Sequence, residues 1–347
     1  MRRLKLNQQM SRCWVALAAG LAMGGLEAGQ LTWTGQGDGK SWSDAANWNA
    51  KPNWSEANDL DFTALANGAT IHNDAATTFG AVTFGADKGT IVWTADKTVE
   101  PKSGTITLPA GTTLDAQFKV GEWGHWNGWN VTVSGAGTLW MNGAWTGDYS
   151  GGKLTLDGVT AVLKDVKDVN VMNANGEGEL ALKNGAQVTV EKSFTVCRLT
   201  SESASDKLIL NGGQTATVKR AAGTFAGTLA GAGTFALRGG ESSEFTGTFR
   251  LRETRVNVTG SLGFQAKIVN VETGTLVVAH DQTVAGVSGD AAAGGIEIAE
   301  GKTLTVTDGG AYGARLSGAG TFALDASGKT LTLSGANTLT GTVRVKA

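Results

Sequence analysis

The stretch GEWGHWNGWN places three tryptophans, Trp123, Trp126 and Trp129, at a spacing of three residues. That spacing does not put side chains on one face of a strand, and the glycines between them predict a loop. Indole rings pack on the apolar faces of sugars, and the amides of Asn127 and Asn130 can reach sugar hydroxyls. The segment is therefore a candidate glycan-stacking site. The alternative, favoured because exposing three adjacent tryptophans is costly, is a loop that buries its own rings.

Asp59 and Asp61 in NDLDF are the best pair of carboxylates for catalysis, because glycoside hydrolysis usually needs two carboxylates at a defined separation. Neither has a basic partner nearby in sequence, and solvated acids on a strand face explain them more simply. The sequence contains no nucleophile elbow and no phosphate-binding loop. We therefore expect no catalytic residues and no enzyme activity, with a polysaccharide-degrading enzyme as the weakest alternative.

Cofactor and metal sites are not expected either. His72, His125 and His280 are scattered without ligand spacing, and Cys197 in SFTVCRL fits a small core residue. Cys13 lies in the N-terminal leader described below, so no internal disulfide and no cysteine metal site are expected. The basic cluster in RLRETR is expected to lie on a solvated strand face, and its members are Arg250, Arg252 and Arg255.

The opening stretch WTGQGDGKSWSDAANWN contains three more tryptophans, Trp33, Trp42 and Trp48, among turn residues. A stacked-repeat fold exposes an apolar end at its first coil, and atypical terminal segments cover that end. Large indole rings suit this role, and polar side chains such as Asp38 and Asn47 can fix the turns between them. We therefore predict that this stretch plugs one end of the fold.

Lookalike segments recur along the second half of the chain. KLTLDGVTAVL, ELALKNGAQVTV and KLILNGGQTATV place Leu154, Leu180 and Leu208 at separations of 26 and 28 residues, and Leu304 and Leu331 are 27 apart. Each segment is a short alternating strand, a Gly/Asn turn and a second strand, which indicates stacked repeats. We predict an all-β right-handed parallel β-helix of roughly a dozen coils, with these first three leucines in one inward ladder. An antiparallel sandwich or barrel is the competing architecture.

A second repeated sequence, with longer separations, is superimposed on these segments. SGAGTLWM, AGAGTFAL and SGAGTFAL begin at Ser134, Ala230 and Ser317, and the last continues as LSGAGTFALDASGKTLTLSGANTLTGTVRV. This stretch resembles the autotransporter-associated β-strand repeat, also called the passenger-associated transport repeat, although Leu339 stands where that family usually has Tyr. The resemblance implies a secreted, passenger-like β-solenoid. The family's membrane barrel has no counterpart in this sequence, so export by an attached barrel is not expected.

The first 28 residues have the pattern of a secretory signal, with basic residues before the apolar run Cys13–Leu26. Their removal takes away four basic residues and one acid, so the net charge becomes 25 − 30 = −5. A mildly acidic chain has no electrostatic footprint for nucleic acid, and no membrane span is expected in the mature chain. We therefore predict a bacterial protein that is secreted or held at the cell surface.

We divide the chain into a signal peptide, 1–28, a tryptophan-rich cap region with the first coils, 29–150, and solenoid repeats, 151–347. The predicted function is a secreted or cell-surface scaffold of the autotransporter-passenger type, with adhesion to a polysaccharide or a host or cell surface as its expected role. The alternative is a glycan-binding module that uses Trp123, Trp126 and Trp129.

Overall fold

The computed structural model describes most of the chain after the predicted signal. The described residues are 29–76, 78–96, 99–101, 104–118, 130–142, 153–164, 179–196, 198–218, 223–237, 245–246, 248–252, 255–258, 268–271, 274–289 and 294–346. Within these ranges the chain is built from short strands, and its one described helix is the 3-10 turn Ala45–Asn47. No helix among them is long and apolar enough to cross a membrane.

The strands of the first half are short and follow one another in chain order: β1 (Gln30–Thr32), β2 (Asp59–Phe62), β3 (Thr70–Asn73), β4 (Thr78–Phe79), β5 (Val82–Phe84), β6 (Gly89–Ala95), β7 (Glu100–Pro101), β8 (Thr105–Thr107), β9 (Thr112–Gln117), β10 (Asn130–Ser134), β11 (Thr138–Met141), β12 (Lys153–Asp157), β13 (Thr160–Leu163), β14 (Glu179–Lys183), β15 (Gln187–Val190), β16 (Phe194–Val196), β17 (Arg198–Ser201), β18 (Lys207–Leu210) and β19 (Thr215–Val218).

The second half continues in the same way: β20 (Gly223–Thr224), β21 (Thr228–Ala230), β22 (Thr234–Leu237), β23 (Phe245–Thr246), β24 (Thr248–Arg252), β25 (Arg255–Val258), β26 (Ile268–Val271), β27 (Thr275–Val278), β28 (Gln282–Val284), β29 (Gly286–Gly289), β30 (Gly295–Ile298), β31 (Thr303–Val306), β32 (Gly310–Tyr312), β33 (Arg315–Gly318), β34 (Thr321–Asp325), β35 (Leu331–Leu333), β36 (Thr338–Leu339) and β37 (Thr342–Lys346).

Three long parallel sheets form the sides of the molecule. Sheet 1 has the order β1-β2-β5-β8-β10-β12-β14-β17, and sheet 2 runs from β3 through β6, β9, β11, β13, β15, β18, β21, β24 and β26 to β29. Sheet 3 has the order β16-β19-β22-β25-β27-β30-β33-β36, and four smaller sheets complete the coils. Each strand pairs in parallel with a strand one coil away, as in β12 on β14 and β13 on β15. The predicted parallel β-solenoid is confirmed.

The predicted leucine ladder is right for two positions and wrong for the third. Leu154 pairs with Leu180, but Leu180 then pairs with Leu199, only 19 residues further on. Leu208 lies on sheet 2 instead, in register with Val188. The physical reason is that coil length is not constant. Successive partners are 27 residues apart at Leu163–Val190 and 18 apart at Val306–Leu324.

The recurring sequence segment is therefore a corner and not a whole coil. In KLTLDGVTAVL and ELALKNGAQVTV the segment turns from sheet 1 into sheet 2, through β12–β13 and β14–β15. In KLILNGGQTATV the same pattern turns from sheet 2 into sheet 3, through β18–β19. Any corner needs two alternating strands joined by a tight turn, so one sequence pattern serves at different corners.

The repeated Gly-Ala-Gly sequence has a direct structural cause. Its first glycine has a positive φ each time, 109° at Gly135, 89° at Gly231 and 101° at Gly318. A Cβ there would collide with a backbone oxygen of the coil below, that of Leu108, Leu210 or Ile298. These positions require glycine both for backbone conformation and because two coils touch there.

The aromatic cluster at the N-terminal end supports the predicted plug in part. Residues 33–48, the N-terminal cap, place Trp33, Trp42 and Trp48 in the core at 3%, 0% and 5% exposure. Ser41 forms a parallel bridge to His72, so the cap adds a partial rung below β3. The Trp42 ring contacts those of Trp48, Trp54, Trp93, Phe62 and Phe79.

Polar side chains hold the cap turns as the sequence predicts. Asn47 accepts from the backbone N–H groups of Gly37 and Gly39, each at 3.0 Å, and donates to Asp38 at 2.7 Å. Hydrogen bonds from Ser41, Lys40 and Asn47 hold the pKa of Asp38 far below its usual range. The Trp48 indole N–H donates to the Trp42 carbonyl at 3.0 Å.

Candidate functional site

The predicted glycan-stacking residues Trp123, Trp126 and Trp129 lie outside the described residues. The chain leaves sheet 2 at the end of β9, near Phe118, and enters sheet 1 at Asn130 in β10. Both anchoring points are described. The stacking hypothesis therefore stays a prediction.

Asp59 and Asp61 lie on the outer face of β2, and both carboxylates are engaged by neighbouring turns. Asp59 accepts from the Ala81 backbone N–H at 2.7 Å, one coil away. Asp61 accepts from the backbone N–H and the hydroxyl of Thr63, at 2.9 and 2.6 Å. Side chains that fix turns make hydrogen bonds of this kind, so the structure gives Asp59 and Asp61 a structural role.

His72 has a hydroxyl on one ring nitrogen and a carboxylate near the other. Its Nδ1 lies 2.8 Å from Thr94 Oγ1, and its Nε2 lies 3.2 Å from Asp96. The order of groups is that of a hydrolase triad, but Thr94 lies near the end of β6, a strand that is paired on both sides, with β3 and β9. Thr94 and His72 are also direct register partners, so the contact is an ordinary cross-strand pair.

The outer face of four successive strands of sheet 2 carries the most organised surface in the described part of the chain. We call this surface the sheet 2 strip. It consists of three parallel columns on β6, β9, β11 and β13. The first column holds four threonines: Thr90, Thr113, Thr138 and Thr160. The central column holds Val92, Asp115, Trp140 and Val162. The third holds Thr94, Gln117, Asn142 and Lys164.

Hydrogen bonds and one cation–π contact hold the strip together. Asp115 is 7% exposed, and its two oxygens accept from the side-chain amides of Gln117, at 2.8 Å, and Asn142. The ammonium of Lys164 lies 3.3 Å from the centre of the Trp140 ring. The strip therefore presents fixed amide, hydroxyl and apolar groups in rows that follow the solenoid axis.

Sequence reasoning missed the strip because its rows depend on the coil register. The threonine column joins residues separated by 23, 25 and 22 positions, so no fixed period marks it. A usable signal is the local pattern of a threonine two residues before a central residue and four before a polar one, as in Thr138, Trp140 and Asn142. That pattern becomes informative once the corners have been aligned.

Sheet 1 has a different outer face, on which positive and negative side chains from neighbouring coils form ion pairs. Lys153 contacts Glu179 at 2.9 Å, and Lys183 contacts Glu202 at 2.9 Å. Burial raises the pKa of Glu179, but hydrogen bonds from Thr200 and Lys153 outweigh it, so the pKa lies below its usual value. These charged rows stabilise neighbouring coils, and each of these four side chains has a partner of opposite charge.

Among the described residues, no group of three or more His, Cys, Asp or Glu side chains could hold a metal ion. No protein-family model matches the chain, and no curated protein or solved structure is significantly similar to it. The sheet 2 strip is thus the best-supported candidate binding surface, on geometry alone.

Proposed function

We propose that the chain is a secreted or cell-surface β-solenoid scaffold that resembles an autotransporter passenger and works in adhesion. One observation carries the proposal: a rod of parallel coils bears along one side an ordered row of polar and apolar groups, whose two charged members have opposite signs. The repeat-like stretch beginning at Leu316 and the signal-like first 28 residues support an extracellular location.

Export is tested by mass spectrometry of the protein recovered from the culture medium or cell surface. We expect a mature N-terminus near Gly29, because Ala28 is the small residue at the predicted cleavage point. An intact Met1 on extracellular material would contradict removal of the leader.

Adhesion is tested with beads that carry the purified chain, residues 29–347, and are washed over surfaces coated with polysaccharide or with intact cells. We expect retention above that of albumin-coated beads. Equal retention of both kinds of bead would contradict an adhesive role and leave only a structural scaffold.

A second candidate is glycan binding through Trp123, Trp126 and Trp129, favoured by a sequence that sets three indole rings next to the amides of Asn127 and Asn130. Trp126→Ala should then weaken glycan binding by about tenfold, the loss expected from one stacked ring, while the melting temperature stays unchanged. If the ring is buried, the same variant melts earlier and wild type binds no glycan.

We propose no catalytic role for this chain. The hydrogen bonds of Asp59 and Asp61 to neighbouring turns support that view. Release of reducing ends from polysaccharides by wild type, and its loss in Asp59→Asn, would contradict it.

A further inference from the structure

We infer that the sheet 2 strip binds a linear, uncharged polysaccharide in a flat, ribbon-like conformation, with the polymer lying along the solenoid axis. The inference deepens the proposed adhesive function and rests on it, since it names the ligand class and the surface that holds it. It does not involve the segment that contains Trp123, Trp126 and Trp129.

The charge of the strip fits a neutral polymer. Its two charged members, Asp115 and Lys164, have opposite signs, and Asp115 is already held by two amides. The outer face of sheet 1 also has stacked threonines, Thr105 and Thr132, but they lie beside charged rows such as Lys153 on Glu179. With a net charge of 25 − 30 = −5 after removal of residues 1–28, the chain repels anionic polymers over long range.

The size of the strip fits a polymer chain and not a protein. Four rungs at about 4.8 Å give a length of about 19 Å, and two residue pairs at about 6.8 Å give a width of about 14 Å. The resulting area of about 270 Å² is a third of the roughly 800 Å² per partner that stable protein interfaces need. A second copy of this chain therefore gains too little contact on this face.

The arrangement of the columns fits the two kinds of surface that a sugar ribbon presents. A ribbon has apolar faces, formed by C–H groups, and polar edges lined by hydroxyls. The central column offers Val92, Val162 and the part of the Trp140 ring that Lys164 leaves uncovered to the apolar face, and all three residues are partly exposed. The buried Asp115 lies between Val92 and Trp140 in this column. The threonine column lies on one side of the central column, and Gln117 and Asn142 lie on the other. These hydroxyl and amide groups can therefore face the two polar edges of the ribbon.

The rung spacing adds to this match. Stacked strands repeat about every 4.8 Å, which is close to the length of one sugar unit in an extended chain. Each sugar then meets a threonine on every rung, while the central group changes from one rung to the next. A helical polymer of the same sugars curves away from a straight row and loses contact after one or two units.

The test uses residues 29–347 and affinity electrophoresis with four soluble polymers. Hydroxyethylcellulose and glucomannan are neutral ribbons, amylose is neutral but helical, and polygalacturonate is anionic. We expect wild type to be retarded by both ribbons and not by amylose or polygalacturonate. Added salt should leave the retardation unchanged, because screening does not affect an uncharged ligand.

The decisive variant is Thr113→Val with Thr138→Val, which removes two stacked hydroxyls while keeping side-chain volume and β-branching. The matched control is Thr105→Val with Thr132→Val, the same change on register partners of sheet 1. We expect at least about fivefold weaker binding for the first pair, since each lost hydrogen bond weakens binding several-fold. The control pair should bind as tightly as wild type. Trp140→Ala should weaken binding by about tenfold or more. Melting curves exclude variants that fail to fold.

Unchanged ribbon binding in the Thr113/Thr138 variant overturns the inference, and so does preference for polygalacturonate or amylose. Loss of ribbon binding in a Trp123→Ala, Trp126→Ala, Trp129→Ala variant, with the strip variants unaffected, also overturns it but supports the second candidate function. If wild type binds none of the polymers yet still retains beads on cells, the inference fails and the adhesive scaffold stands.

Discussion

Trp42→Ala should open the first coils of the solenoid without affecting the distant ones. The Trp42 ring is fully buried and stacks on Trp54 at 5.5 Å and against Trp93 at 5.3 Å. Its indole N–H has no hydrogen-bond partner, so the loss on truncation is one of packing. Truncation of a buried tryptophan costs about 3–5 kcal/mol, because the lost contacts leave a cavity.

The consequence is local because each coil of a solenoid contacts only its neighbours. A loss of about 4 kcal/mol raises the population of the open cap about 700-fold. Native-state hydrogen exchange should therefore speed up by about that factor at the amides of Trp42 and His72, which bond to His72 and Lys40 across the junction. The amides of Ile296 and Leu304, many coils away, should exchange at the wild-type rate.

Trp140→Ala is the matched control, since it makes the same change at a partly exposed position on the outer face of sheet 2. We expect it to leave exchange at Trp42 and His72 unchanged. Two results would refute the reasoning: an equal acceleration in all coils, which means that the rod unfolds as one unit, or no acceleration at Trp42 and His72.

Three further predictions concern the corners and the charged rows. Asp206→Asn should lower the free energy of unfolding by about 2 kcal/mol, because this fully buried carboxylate accepts from Ser201, Ser203, Gly185 and Ala186. Urea unfolding measures it, with Asp325→Asn as an exposed control expected to change stability by less than about 1 kcal/mol. Gly318→Ala should destabilise more than Gly328→Ala, by about 2 kcal/mol, because both glycines have positive φ but only Gly318 faces a backbone oxygen. Equal melting temperatures for the two variants would show that the positive φ alone determines the loss of stability. The lowered pKa of Glu179 means that its ionised form stabilises the fold above the ordinary value of 4.5, and the benefit is lost as the pH falls through the lower, folded pKa. The difference in melting temperature between wild type and Glu179→Gln should therefore shrink between about pH 6 and about pH 3, and a constant difference would contradict the assignment.

The architecture could be predicted from the sequence because alternation and turn residues are local signals. Leu154 and Leu180 alternate with polar residues and lie on neighbouring rungs as expected. The burial of Trp33, Trp42 and Trp48 was also predictable, since the first coil of a stacked fold has an open apolar end that large side chains can cover. Both predictions rest on side chains that meet neighbours close in sequence or in an adjacent coil.

The register could not be predicted, because it depends on how many residues each coil spends at its corners. Leu208 resembles Leu180 in its local sequence but lies one sheet further round, since the coil from Leu180 to Leu199 is short. Asp206 was missed for a similar reason. Its partners Gly185 and Ala186 lie in the previous coil, at a separation that no local pattern reveals.

Because the corners set the register between coils, such a chain can gain a binding surface from residues that are far apart in sequence. Inward positions such as Leu139 and Ala161 must stay apolar, since they fill the space between stacked rungs. Outward positions are free to vary, because their register neighbours impose only a preference for compatible pairs. A row of matched groups such as Thr113 and Thr138 then forms only when several coils, unequal in length, are aligned by their corners. The surface belongs to the stack, so its chemistry must be sought across rungs and not along the sequence.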